Sequence, residues 1–142
     1  MVYPHVLYAT IKDGRQHNMP TQVVGTPITA DTARTISEML ANAIESEAKR
    51  GIVPGYRLAG KTGTAQVPTP YGYYDDTLTN ASYIGWGPLD NPQFLIYVWL
   101  EKPQSSEWGS VVAAPVFRDL VEKLVVILGI PPDEILSQLS GQ

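Results

Sequence analysis

The sequence predicts an α+β domain in which an antiparallel sheet of about three main strands is packed with helices. Two stretches of helical spacing, one ending near residue 51 and one ending near residue 129, bracket three β-prone runs. The last two runs are separated only by "PLDNP", a turn-rich connection that closes an antiparallel hairpin.

Taken in order, the first 28 residues read as extended and loop-rich. "HVLYATI" is β-prone and "KDGR" supplies a turn. The first helix follows "GTPIT". Thr29 is its N-cap, Asp31 suits the positive end of the dipole, and Ile28 stands where a hydrophobic staple would. Ala33, Ile36, Leu40, Ala43 and Ile44 recur at helical spacing and predict the buried face. Lys49 and Arg50 suit the negative end, and Gly51 is expected in the left-handed terminal position. Strands are expected at about 56–66, 81–87 and 93–101. The second helix is expected from Ala114, with Pro115 in its first turn, Gly129 at its end, and Val116, Leu120, Leu124 and Ile127 toward the sheet.

Composition narrows the function classes. With 142 residues, 44% hydrophobic and 17% charged, the chain has the length and balance of one folded domain. A net charge of −4 and no basic cluster argue against nucleic acid as a partner. Without cysteine there are no disulfides or thiolate zinc sites, and His5 and His17 lack a partner motif, so neither metal nor cofactor is expected. "FLIYVWL" has the length of a strand, whereas a bilayer span needs about 20 residues. No signal peptide is read at the start, and any membrane anchor is expected in a segment outside this chain.

The stretch "PGYRLAGKTGTAQ" fits two signatures. Gly55 to Thr62 is G-x-x-x-x-G-K-T, a P-loop for nucleotide phosphates, and Lys61 to Thr64 is K-T-G-T, an element of penicillin-recognising serine enzymes. A P-loop needs a strand before the first glycine and a helix starting at Lys-Thr. Here "GIVP" precedes, and "GTAQVPTPYG" follows with two glycines and two prolines, which oppose a helix. As a strand, 56–66 places Thr62 and Thr64 on one face and Lys61, Gly63 and Ala65 on the other. Two neighbouring hydroxyls and a lysine can bind a carboxylate, and Gly63 lets a ligand or helix approach the backbone. The same residues also suit a plain edge strand with a protective lysine.

"LAGKTGTAQVP" resembles the K-T-G region of class B penicillin-binding proteins, the D,D-transpeptidases that cross-link peptidoglycan. The flanks are similar in the same order: "ITADTARTISEML" before it, "NASYIGWGPLDNPQFLIYVWLEKP" and "AAPVFRDLVEKLVVILGIPPDE" after it. The resemblance covers nearly the whole chain. It implies that residues 1–142 are the C-terminal part of a transpeptidase domain, with the nucleophile-bearing part absent. It further implies that Lys61 positions the catalytic serine's proton network, that Thr62 and Thr64 bind the carboxylate of a stem peptide or β-lactam, that the Thr64 N–H joins the oxyanion hole, and that Gln66 lies at the cleft edge. Such domains work at the outer face of the bacterial cytoplasmic membrane, in cell division or cell-shape maintenance.

One departure qualifies the resemblance. S-x-N is absent, and the single S-x-x-K, Ser46 to Lys49, lies in a charged helix end that is expected to be solvated and so a poor setting for a nucleophile and its base. The isolated chain is therefore expected to be inactive. Besides the P-loop, the alternatives are a non-catalytic interaction module and a β-lactam sensor fragment.

Overall fold

The computed structural model describes residues 1–72 and 74–140. Residues 1–34 and 35–142 form separate compact units. In the first, β1 (Ala9–Lys12) and β2 (Arg15–Asn18) pair as an antiparallel hairpin. Its turn is Asp13-Gly14, both at positive φ (52° and 71°), the pair of left-handed residues that a two-residue hairpin turn demands. This places the turn where "KDGR" predicts it.

Helix α1 spans Ala30–Glu47. The Thr32 N–H donates to Thr29 Oγ1 at 3.1 Å, so the expected N-cap is formed. The buried face is rotated and shifted from the expected one: Ala41 and Ile44 are buried, whereas Ala33 and Ile36 are exposed. The helix end also differs. A 3-10 turn at Lys49–Gly51 follows, and Gly51 is not among the glycines at positive φ. What requires glycine there is space, because a Cβ would lie 3.0 Å from the Tyr83 hydroxyl oxygen.

The sheet of the second unit has the order β3-β4-β5, all antiparallel, from β3 (Ala59–Pro68), β4 (Tyr74–Gly87) and β5 (Phe94–Glu101). The fold is thus the predicted α+β arrangement with three main strands. Residues 56–58 lie before the strand, and β4 begins seven residues earlier than 81 because its first half pairs back along β3. Directly opposed residues share a face. Thr62, Tyr83 and Val98 form one such row on the side that carries Phe117 and Val121, and Lys61, Ile84 and Tyr97 form a row on the other side.

Helix α2 covers Gly109–Ile127, beginning five residues before the expected Ala114. Pro115 therefore sits inside the helix, where it cannot donate to the carbonyl four residues back. That carbonyl, on Val111, instead accepts from Arg50 Nη1 at 3.3 Å. The face toward the core is Ala113, Ala114, Phe117, Val121 and Val125; Val116, Leu120 and Ile127, expected inside, are exposed. Gly129 stands just past the helix end, as the sequence predicts, and is at φ 64°. Its N–H donates to Val126 and that of Ile130 to Val125, a paired closure that satisfies two terminal carbonyls. A short helix, α3 (Asp133–Ser140), follows. Among the described residues, no helix is long and apolar enough to cross a membrane.

Candidate functional site

The chain enters β3 through a clamp centred on Arg57. Its guanidinium forms two bonds to the Glu38 carboxylate of α1, at 3.2 and 2.5 Å, and a longer one to Asn42 at 3.4 Å. The Arg57 N–H donates to the Asp133 carboxylate at the start of α3, and its carbonyl accepts from the Leu89 N–H at 2.9 Å. Both ion-pair side chains are more than one-third exposed (47% and 38%), so the pair fixes geometry more than it adds stability. Gly55, at φ 83°, makes the tight turn just before it, and the Tyr56 hydroxyl donates to the Ile130 carbonyl at 2.8 Å.

From Ala59 the backbone is extended, so no helix starts at Lys61 and the P-loop geometry is not formed. Gly60, Lys61, Thr62, Gly63 and Thr64 stand opposite Gly85, Ile84, Tyr83, Ser82 and Ala81. Among the described residues β3 pairs with β4 alone, so it is an edge of its sheet. Lys61, Thr64 and Gln66 are exposed, and Thr62 and Gly63 are half-buried. The Lys61 ammonium lies 3.4 Å from Thr62 Oγ1 and 3.8 Å from the Glu47 carboxylate of α1. An ammonium beside a hydroxyl pair suits an anionic ligand, with Glu47 as the resident counter-charge. Gln66 opposes Thr79, and the register shifts immediately after it, so that Val67 opposes Asp75. The regular part of the edge therefore ends at Gln66.

Ser46 is exposed, and its hydroxyl donates to the Ala43 carbonyl one turn back at 3.1 Å. Lys49 lies in the 3-10 turn and is also exposed. A nucleophilic serine needs a base at its hydroxyl, and this one spends its proton on a helix carbonyl.

Tyr83, which no motif in the sequence marks, lies beneath the edge. Its side chain is fully buried and stacks obliquely on Phe117, with ring centroids 4.7 Å apart. Its hydroxyl has no hydrogen-bond partner among the described residues. The hydroxyl occupies the room left by two absent side chains, since a Cβ at Gly60 would lie 2.7 Å from it and one at Gly51 3.0 Å. Only the alternation of "ASYIGWG" pointed to an inward tyrosine; the glycines that receive it lie on other elements.

Burial pushes the Tyr83 pKa up from 10.0 to about 12. The folded state then holds this proton more tightly than the unfolded chain. Its stabilising contribution is complete below pH 10 and is lost as pH rises through about 12. Urea titrations of the chain are expected to show about 2–3 kcal/mol of stability lost over that window through this group. Tyr83→Phe should lack that component; an identical decline in the variant would contradict it.

Comparison with known proteins gives a consistent picture. Residues 1–122 match the family model described as "Penicillin binding protein transpeptidase domain". The chain is 35% identical over 112 residues to the peptidoglycan D,D-transpeptidase FtsI of Buchnera aphidicola, covering 73% of this chain and 19% of that protein. It is 31% identical over 142 residues to penicillin-binding protein PbpB of Mycobacterium tuberculosis, covering 92% of this chain and 21% of that one. The chain thus spans about one-fifth of the length of these relatives. The crystal structure of penicillin binding protein 3 from Mycobacterium tuberculosis superposes with a TM-score of 0.77 at 30% identity, covering 88% of this chain and 31% of that one. The same protein has been solved with ampicillin and with aztreonam.

Proposed function

Since this chain belongs to the penicillin-binding-protein transpeptidase family, we propose that it forms the K-T-G wall of a peptidoglycan D,D-transpeptidase cleft, with the nucleophilic serine supplied by the upstream part of the domain. The observation that carries this reading is the edge position of β3, with Lys61, Thr62 and Thr64 adjacent along it.

In this reading the two threonine hydroxyls and the lysine receive the terminal carboxylate of a stem peptide, or that of a β-lactam. This puts the scissile carbonyl beside the strand. The upstream serine attacks that carbonyl, the leaving group departs, and the acyl group passes to an amine of a second stem peptide. The Thr64 N–H stabilises the negative charge that develops on the carbonyl oxygen. As a fixed backbone donor, it needs no reorganisation when that charge appears. Lys61 holds the serine's proton network in place, and Gln66 bounds the cleft where the regular strand ends. The site works at the outer face of the cytoplasmic membrane, on an anchor carried by the upstream segment, in wall synthesis for division or cell shape.

The exposed apolar surface supports the need for that upstream part. Leu95, Tyr97 and Trp99, alternating along edge strand β5, are 63%, 59% and 51% exposed, and the outer stripe of α2 adds Val116, Leu120 and Ile127. Surfaces of this kind on a sheet edge and a helix mark places where more protein packs.

Titration of the labelled chain with benzylpenicillin tests the binding half of the proposal. Amide shifts should concentrate in residues 61–66 and shrink when Thr62 and Thr64 are both replaced by valine. Mg·ATP should leave residues 55–62 unmoved. Penicillin shifts confined to other elements, or an ATP response in the 55–62 segment, would overturn the reading.

A further inference from the structure

The first residue of α2 lies against the strand that carries the site. A Cβ at Gly109 would collide with the Ser82 carbonyl oxygen and come within 2.9 Å of the Gly63 carbonyl oxygen. Gly109 is buried and has no positive φ, so space alone requires glycine there. The next inward residues continue the fit. Ala113 is fully buried, and the Phe117 ring fills the hollow over Gly85, where a Cβ would lie 2.5 Å from its Cζ. The "AAPVF" segment and the glycine before it are thus shaped to the backbone of β3 and β4.

The Gly63 carbonyl, which leaves no room for a side chain at Gly109, belongs to the Gly63–Thr64 peptide group. A trans peptide is planar, so its N–H points opposite to its C=O, and whatever sets the direction of the Gly63 oxygen also sets that of the Thr64 N–H. Gly63 pairs with Ser82 across β3 and β4, and the Gly109 backbone packs against the main chain of that pair, so the ladder and the helix start together confine the peptide plane.

We propose that Gly109 and the first turn of α2 are a positioning device for the Thr64 N–H, holding the peptide plane from its carbonyl side so that the donor faces the cleft. Gly109 does not touch the substrate; it acts through the Gly63–Thr64 peptide. The catalytic value of this placement rests on the assignment of the Thr64 N–H to the oxyanion hole, whereas the mechanical coupling does not.

The test compares Gly109→Ala with Val125→Ala, a cavity-forming change at the far end of the same helix, in the labelled chain. Gly109→Ala is expected to shift the Thr64 amide resonance and to weaken the benzylpenicillin response of residues 61–66 roughly tenfold, the scale of one misdirected hydrogen bond. Val125→Ala is expected to lower the melting temperature at least as much while leaving the Thr64 amide in place. If Gly109→Ala melts lower but leaves the Thr64 amide unmoved, Gly109 is packing only and the proposal is overturned. Should that variant fail to fold, Ser110→Gly, which loosens the same turn without adding an atom, carries the same decision through a smaller Thr64 shift. A wild-type chain that does not respond to benzylpenicillin would count against the proposed function, and the Thr64 shift in Gly109→Ala would still decide the coupling.

Discussion

Phe117→Ala is expected to lower the unfolding free energy by about 3–5 kcal/mol, the range for deleting a fully buried aromatic ring. The ring is 0% exposed, stacks on Tyr83 and fills the hollow over Gly85, so its removal opens a cavity against glycine backbone that has no side chains to collapse into it. For a domain whose total stability is of order 5–15 kcal/mol, that is a large fraction. Val116→Ala, one residue earlier and 40% exposed, should cost no more than about 0.5 kcal/mol. Denaturant titrations of the two variants also decide which face of α2 is the inner one, since the sequence pattern alone points to Val116. Equal losses, or a larger loss for Val116→Ala, would contradict the packing described.

Lys61→Met has the second large expected effect, on chemistry and not on folding. In the domain assembled with its nucleophile-bearing part, acylation by benzylpenicillin should slow by about 10²–10³, the cost of removing one preorganised electrostatic partner from an acyl-transfer site. The Lys61 side chain is 55% exposed and its ion pair with Glu47 is 3.8 Å long, so the substitution should leave the melting temperature almost unchanged. The measurement is the single-turnover acylation rate alongside a thermal melt. An unaltered rate would remove Lys61 from the site, and a collapsed melt would make it a structural residue.

What could be read from the sequence was local. The Thr29 cap, the Asp13-Gly14 turn and the Gly129 helix end each rest on one residue's conformational preference or on a side chain reaching its own backbone, and each forms as expected. The expected start of α2 is five residues late because proline normally stands in a first turn. The Arg50 guanidinium that donates to the freed Val111 carbonyl lies 61 residues away in sequence. Its buried face was misread because α2 is apolar on more than one side, and helical periodicity cannot choose between two apolar stripes. The sequence predicts a left-handed Gly51, but the constraint there is the Tyr83 ring, delivered by a different element. The site follows the same division. Lys61, Thr62 and Thr64 fall within one four-residue motif on a strand, so the sequence alone offers them as candidates. Glu47 and Gly109 approach through tertiary structure that no spacing in the chain announces, and Tyr83 shows only as one inward position of an alternating strand, without the glycines that receive its ring.

The central claim is that this chain supplies a wall of the cleft and not its nucleophile. Intact-mass analysis after incubation with benzylpenicillin tests it most directly, first on the chain alone and then with the upstream part of the domain present. The expected result is an unmodified mass for the chain in both cases and a stoichiometric penicilloyl adduct on the upstream part. A stoichiometric adduct on the isolated chain, mapped to Ser46, would contradict the account.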